Sequence, residues 1–116
     1  DHRVGVGTED EVRALAPDLR RLAGAVSRGV MVTARSSGEQ DFISRFFAPA
    51  AGIDEDPVTG SAHCCLGPYW AAQLGKNELV GYQASARGGF VRVTVTGPRV
   101  LLDGHAVTVL RGEVAV

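Results

Sequence analysis

"SRFFAPAAGIDEDPVTGSAHCCLGPYWAAQLGK" occupies Ser44–Lys76, and its sequence of runs and breaks decides the fold. It opens inside a run, 41–47, in which Phe42, Ile43, Phe46 and Phe47 are apolar on both faces, the pattern of a strand central in a sheet. Pro49 and Gly52 stop that strand. Asp54, Glu55 and Asp56 follow in a loop, and Pro57 restricts Asp56 to extended backbone. A main helix is expected from Ser61 to about Gly75, with Ser61 as its N-cap. Ala62, Cys64, Cys65, Leu66, Tyr69, Trp70, Ala71, Ala72 and Leu74 cover nearly every side of it, so burial all round is expected. Pro68 conflicts with one continuous helix, because it removes a backbone bond and crowds the Cys64 carbonyl; a kink or restart is expected there.

Working outward, Arg3–Gly7 reads as a short strand. "VGVGTED" lacks the third glycine of a dinucleotide fingerprint. Thr8 followed by Glu11 forms a capping box, and Val12, Leu15, Leu19 and Leu22 recur at helical spacing. Pro17 interrupts that run and is expected to open a second short helix as its first residue. Gly29–Arg35 reads as a strand. Beyond Lys76 the period becomes two, with Val91, Val93 and Val95 alternating with polar residues. Val100–Leu102, Asp103-Gly104 and His105–Leu110 form a hairpin pattern, with Glu113–Val116 extending the last strand. The order predicts an α+β domain, a curved, mostly antiparallel sheet wrapped around one central helix.

The 116 residues are 45% hydrophobic with a net charge of −1, which suits one globular domain over 1–116. There is no basic excess to draw in nucleic acid or an anionic membrane, and no apolar run of the roughly 20 residues that would span a bilayer. No signal peptide is visible. Cys64 and Cys65 are adjacent, so they supply neither a disulfide framework nor CxxC metal spacing. Both are expected as buried thiols, in a cytoplasmic protein.

The acid cluster has two readings. Carboxylates before a helix stabilise its positive end, and turn chemistry accounts for Pro57 and Gly60. Alternatively, the unpaired N–H groups of the first turn hold an anion, and Asp56, five residues before Ser61, faces the same pocket. That layout suits proton transfer at the carbon alpha to a carboxylate. No metal is expected, since calcium-loop spacing is absent. His63 reads as a hydrogen-bonded core histidine. Arg45 either pairs near its strand end, balances the acid cluster downstream, or holds an anionic ligand. Gln83 and Arg87 either line a cleft or brace the sheet, with bracing favoured.

Ser44–Lys76, together with "YQASARGGFVRVTV" and "VLLDGHAVTVLRGEV", resembles the phenazine-biosynthesis-like (PhzF-type) isomerase family from Arg3 onward. The resemblance implies a diaminopimelate-epimerase-like fold of two similar domains, each wrapping strands around a central helix, with the active site between them. It implies cofactor-independent acid/base isomerisation of a small carboxylate metabolite. The family's proton-shuttling Asp falls on Asp56, and its substrate-carboxylate residues fall on Gly60 and Ser61, beside Thr59. Nothing in the chain matches the family's N-terminal domain, which carries the principal glutamate and its partner histidine. The chain therefore reads as the C-terminal half, in keeping with its start at Asp1. Its expected partners are that N-terminal domain or a second copy in a homodimer, and the isolated half is expected to be inactive. A non-catalytic binding or scaffolding protein of the same fold is the alternative.

Overall fold

The structure is a computed structural model and describes residues 2–5, 7–25 and 28–115. Six strands form one sheet in chain order: β1 (His2–Gly5), β2 (Val30–Arg35), β3 (Phe42–Phe47), β4 (Glu78–Gln83), β5 (Gly89–Thr96) and β6 (Arg99–Asp103). The β2–β3, β4–β5 and β5–β6 pairs are antiparallel, while β1–β2 and β3–β4 are parallel. The domain is thus α+β with a mostly antiparallel sheet. The expected first strand ran to Gly7; β1 stops at Gly5, and Val6 lies outside the described residues.

Each parallel pair needs a helical crossover, and the two crossovers lie on opposite faces of the sheet. Helices α1 (Glu9–Ala14) and α2 (Leu19–Ala25) join β1 to β2, and their Val12, Leu15, Leu19 and Leu22 pack with Val30, Val32, Ala34, Ile43 and Phe47. Helix α3 (Gly60–Leu74) joins β3 to β4 on the other face, where Ala62, Leu66 and Trp70 meet Met31, Phe42, Phe46, Leu79, Val91 and Val93. This explains why β3 is apolar on both sides.

Local signals set the helix ends. The Thr8 hydroxyl accepts from the Glu11 N–H at 3.2 Å, half of the expected capping box; the Glu11 carboxylate takes the Thr8 hydroxyl instead of the backbone N–H. Helix α2 starts two residues after Pro17. Asp18 caps it by accepting from the Arg21 N–H at 3.2 Å, so the proline sits outside the helix it was expected to open.

The main helix departs from expectation in three ways. It begins at Gly60 with Thr59 as N-cap, so Ser61 lies inside the first turn. It runs unbroken through Pro68, where Pro68 and Cys64, whose carbonyl loses its backbone donor, are both on the exposed face and water can donate to that carbonyl. It is buried on one side only: Ala62, His63, Leu66, Gly67 and Trp70 face the sheet, while Cys64 and Cys65 are exposed free thiols. Helix and sheet approach so closely that a Cβ on Gly67 would lie 2.5 Å from Val93 Cγ1. Trp70 Nε1 donates to Thr33 Oγ1 at 2.9 Å, and that hydroxyl donates to the Ile43 carbonyl at 2.7 Å.

The hairpin expected to turn at Asp103-Gly104 does not form. β6 ends at Asp103, and residues 104–115 carry no regular structure; Val107, Val109, Leu110 and Val114 are each more than four-fifths exposed. Helix α3 reaches only to Val100 and Leu102 of β6, so a strand beyond it would find no helix against which to bury its apolar side. Among the described residues no helix is long and apolar enough to cross a membrane.

Candidate functional site

The loop between β3 and α3 carries the acid cluster, and its three carboxylates go three ways. Glu55 takes Arg45 in a bidentate pair, Nε to Oε2 at 2.9 Å and Nη2 to Oε1 at 2.8 Å. Arg45 also donates through Nη1 to the carbonyls of Val12 at 3.0 Å and Leu15 at 2.6 Å, closing the end of α1. The bonds from Glu55 raise the Arg45 pKa above its ordinary value, against burial, which works the other way. Of the three readings for Arg45, balance of the downstream acid cluster is the one realised. Asp54 is exposed.

Asp56 is the carboxylate turned to the helix start. Its Oδ2 accepts the Thr59 hydroxyl at 2.5 Å, and its N–H donates to the Phe46 carbonyl at 3.0 Å, which fixes the loop against β3. Thr59 is buried, whereas Gly60 and Ser61, the next two residues, are exposed. No side chain among the described residues accepts from the N–H groups of Gly60 or Ser61. The structure therefore brings Asp56, Thr59, Gly60 and Ser61 together around the first turn of α3, with an open positive helix end beside a held carboxylate.

Gln83, fully buried at the end of β4, is the residue whose role the sequence did not disclose. Its Oε1 accepts from the Thr59 N–H at 2.7 Å; its Nε2 donates to the Asp56 carbonyl at 2.8 Å and to Thr59 Oγ1 at 3.0 Å. Gln83 braces the site turn rather than the sheet. The signal was its place in the β4 alternation: Leu79, Gly81 and Gln83 share a face, and a glutamine among core positions requires polar partners.

Arg87 does not brace the sheet either. It is exposed in the turn after β4 and lines a cleft of about 670 Å³ with Val58, Gly88, Gly89 and His105. That turn is pinned to the site loop by the Ser85 hydroxyl, which donates to the Pro57 carbonyl at 2.9 Å.

His63 lies one turn into α3, fully buried against Phe42. Its Nδ1 is 2.8 Å from the Thr59 carbonyl, which can only accept, so Nδ1 carries the proton; burial pushes the ring's pKa down, outweighing that bond. His63 is the core histidine that the sequence indicated. Among the described residues no three His, Cys, Asp or Glu side chains gather as a metal site.

A family profile described as phenazine biosynthesis-like protein matches residues 3–112. The chain belongs to the phenazine biosynthesis-like family. An uncharacterized isomerase of Halalkalibacterium halodurans is 52% identical over 114 residues, covering 97% of this chain and 43% of that protein. An uncharacterized isomerase of Pseudomonas aeruginosa is 55% identical over 107 residues, covering 92% of this chain and 41% of its own. The crystal structure of a Clostridium difficile protein described as phenazine biosynthesis PhzC/PhzF superposes with a TM-score of 0.85 at 36% identity, over 98% of this chain and 44% of that one. A PhzF-family structure from Enterococcus faecalis gives 0.81 at 41% identity, over 86% and 38%. The chain thus spans less than half the length of the phenazine biosynthesis-like relatives it matches.

Proposed function

We propose that this chain forms the C-terminal half of a phenazine biosynthesis-like isomerase, and that the complete protein moves a proton at the carbon alpha to a carboxylate of a small metabolite. The observation that carries this reading is the Asp56 carboxylate, held at 2.5 Å by the Thr59 hydroxyl beside the open N–H groups of Gly60 and Ser61. The substrate carboxylate sits on those N–H groups, where the helix dipole and the charge-assisted bonds stabilise the negative charge that builds during deprotonation. The Cα–H proton passes to an acid/base group and is returned to the substrate, while the electron pair is held in the carboxylate as an enediolate. Nothing is oxidised or reduced, so the chemistry consumes no cofactor. Asp56 acts in this transfer as an acid/base or orienting group.

The missing partner acid and the shielding from water come from outside this chain, either from the N-terminal domain of the same protein or from a second copy. In support, Gly60, Ser61, Cys64, Cys65 and Pro68 leave one face of α3 open, and the apolar residues of 104–115 are uncovered. The relatives named isomerase extend well beyond the matched segment.

The test is solvent deuterium entering Cα of small carboxylates incubated with the complete protein, read by loss of the Cα–H proton signal. Exchange that falls sharply in Asp56→Asn, with the fold retained, is the expected result. Full activity in that variant removes Asp56 from the mechanism. Binding across a broad carboxylate panel with no exchange would favour a binding protein of the same fold.

A further inference from the structure

We infer that Gln83 is a positioning residue that sets the Asp56 carboxylate through Thr59. The inference rests on the reading of Asp56 given above, and its geometry stands independently of that reading. The Gln83 amide faces an N–H with its oxygen and two oxygens with its nitrogen, at 2.7, 2.8 and 3.0 Å. Turning it over would set nitrogen against N–H and oxygen against the Asp56 carbonyl, so its orientation is fixed by chemistry. Thr59 Oγ1 receives the Nε2 proton and so directs its own single proton to Asp56 Oδ2. The chain of donation runs one way, from Gln83 to Thr59 to Asp56.

Two consequences follow for Asp56. Its carboxylate is confined to the orientation in which Oδ2 meets that hydroxyl. Its other oxygen, Oδ1, has no hydrogen-bond partner among the described residues and is the oxygen left to meet a substrate proton. The anchor is rigid because Gln83 closes β4, with Ser44 of β3 on one side and Gly89 of β5 on the other. A buried, fully satisfied polar side chain fixes geometry more than it adds stability. Misplacing a reacting group by about 1 Å costs on the order of 10²-fold in rate.

The experiment measures the three-bond couplings from Asp56 Cγ to its backbone N and C′, in the complete protein with labelled aspartate. Wild type is expected to show both couplings at the limiting trans or gauche values of one staggered rotamer. Thr59→Val keeps the side-chain shape without the hydroxyl, and Gln83→Leu removes the donor behind it; both are expected to give averaged couplings. Thr59→Ser is expected to restore the single rotamer and most of any carboxylate Cα–H exchange. Unchanged couplings in Thr59→Val, or averaging there but not in Gln83→Leu, would overturn the inference. Absence of exchange in wild type would strike only the reading of Asp56, because the couplings decide the positioning regardless.

Discussion

Arg45 and Glu55 meet through two parallel hydrogen bonds, and the same guanidinium closes the C-terminal carbonyls of α1. One side chain therefore ties the site loop, strand β3 and helix α1 together. Arg45→Ala should leave the partly buried Glu55 and the Leu15 carbonyl without that donor, while the Val12 carbonyl keeps the Leu15 N–H. A loss of about 2–4 kcal/mol is expected. Arg45→Lys should recover little, because an ammonium cannot make the paired bonds. Urea unfolding midpoints check both, and a Lys variant as stable as wild type would show that charge alone suffices.

Gly67 sets the distance between α3 and β5. Alanine is the better helix former by about 1 kcal/mol, yet its Cβ would lie 2.5 Å from Val93 Cγ1, on a strand with no room to retreat. Gly67→Ala should therefore destabilise by about 1–3 kcal/mol, the usual cost of overpacking. A second change, Val93→Ala, should cost less in the Gly67→Ala background than in wild type, a coupling that a double-mutant cycle reads directly.

Much of this architecture is legible in the sequence, where a residue's own neighbours decide its state. Phe42, Ile43, Phe46 and Phe47 disclose a central strand because both crossovers cover it. Thr8 discloses a helix start through its bond to Glu11. The grouping of Asp56, Thr59, Gly60 and Ser61 follows from their closeness in the chain. Gln83 was opaque because the β3–β4 pairing carries it across α3 to residues 24 or more positions earlier. The pattern of His105–Leu110 states strand competence but names no partner, and among the described residues the segment pairs with no strand. Cys64 and Cys65 are exposed rather than buried because small apolar residues are tolerated on either face of a helix, and the large ones, Leu66 and Trp70, mark the buried side.

His63 couples stability to pH. Burial depresses its folded-state pKa below the ordinary 6.5, so the unfolded chain takes up a proton first as the solution is acidified. Its contribution is fully present above pH 6.5 and is lost as pH falls toward the lower folded value. Urea midpoints taken between about pH 7.5 and 5.5 should decline in wild type, and more steeply than in His63→Gln, which cannot gain the charge. Equal slopes in the two proteins would assign the decline to other groups.

Gly60 separates what the fold requires from what a ligand would require. Its φ is not positive, and an added Cβ would meet only Leu102 Cδ1, at an ordinary 3.8 Å. Nothing among the described residues demands a glycine there, so Gly60→Ala should leave stability unchanged or raise it by up to about 1 kcal/mol. A carboxylate seated on the first-turn N–H groups would meet the new methyl, because close approach to the backbone is what glycine permits. Loss of one charge-assisted bond corresponds to about a tenfold or greater rise in KM, with a smaller change in kcat. The two readouts thus move apart: a variant at least as stable as wild type but weaker for carboxylates places the anion at the start of α3, while an unchanged KM places it elsewhere.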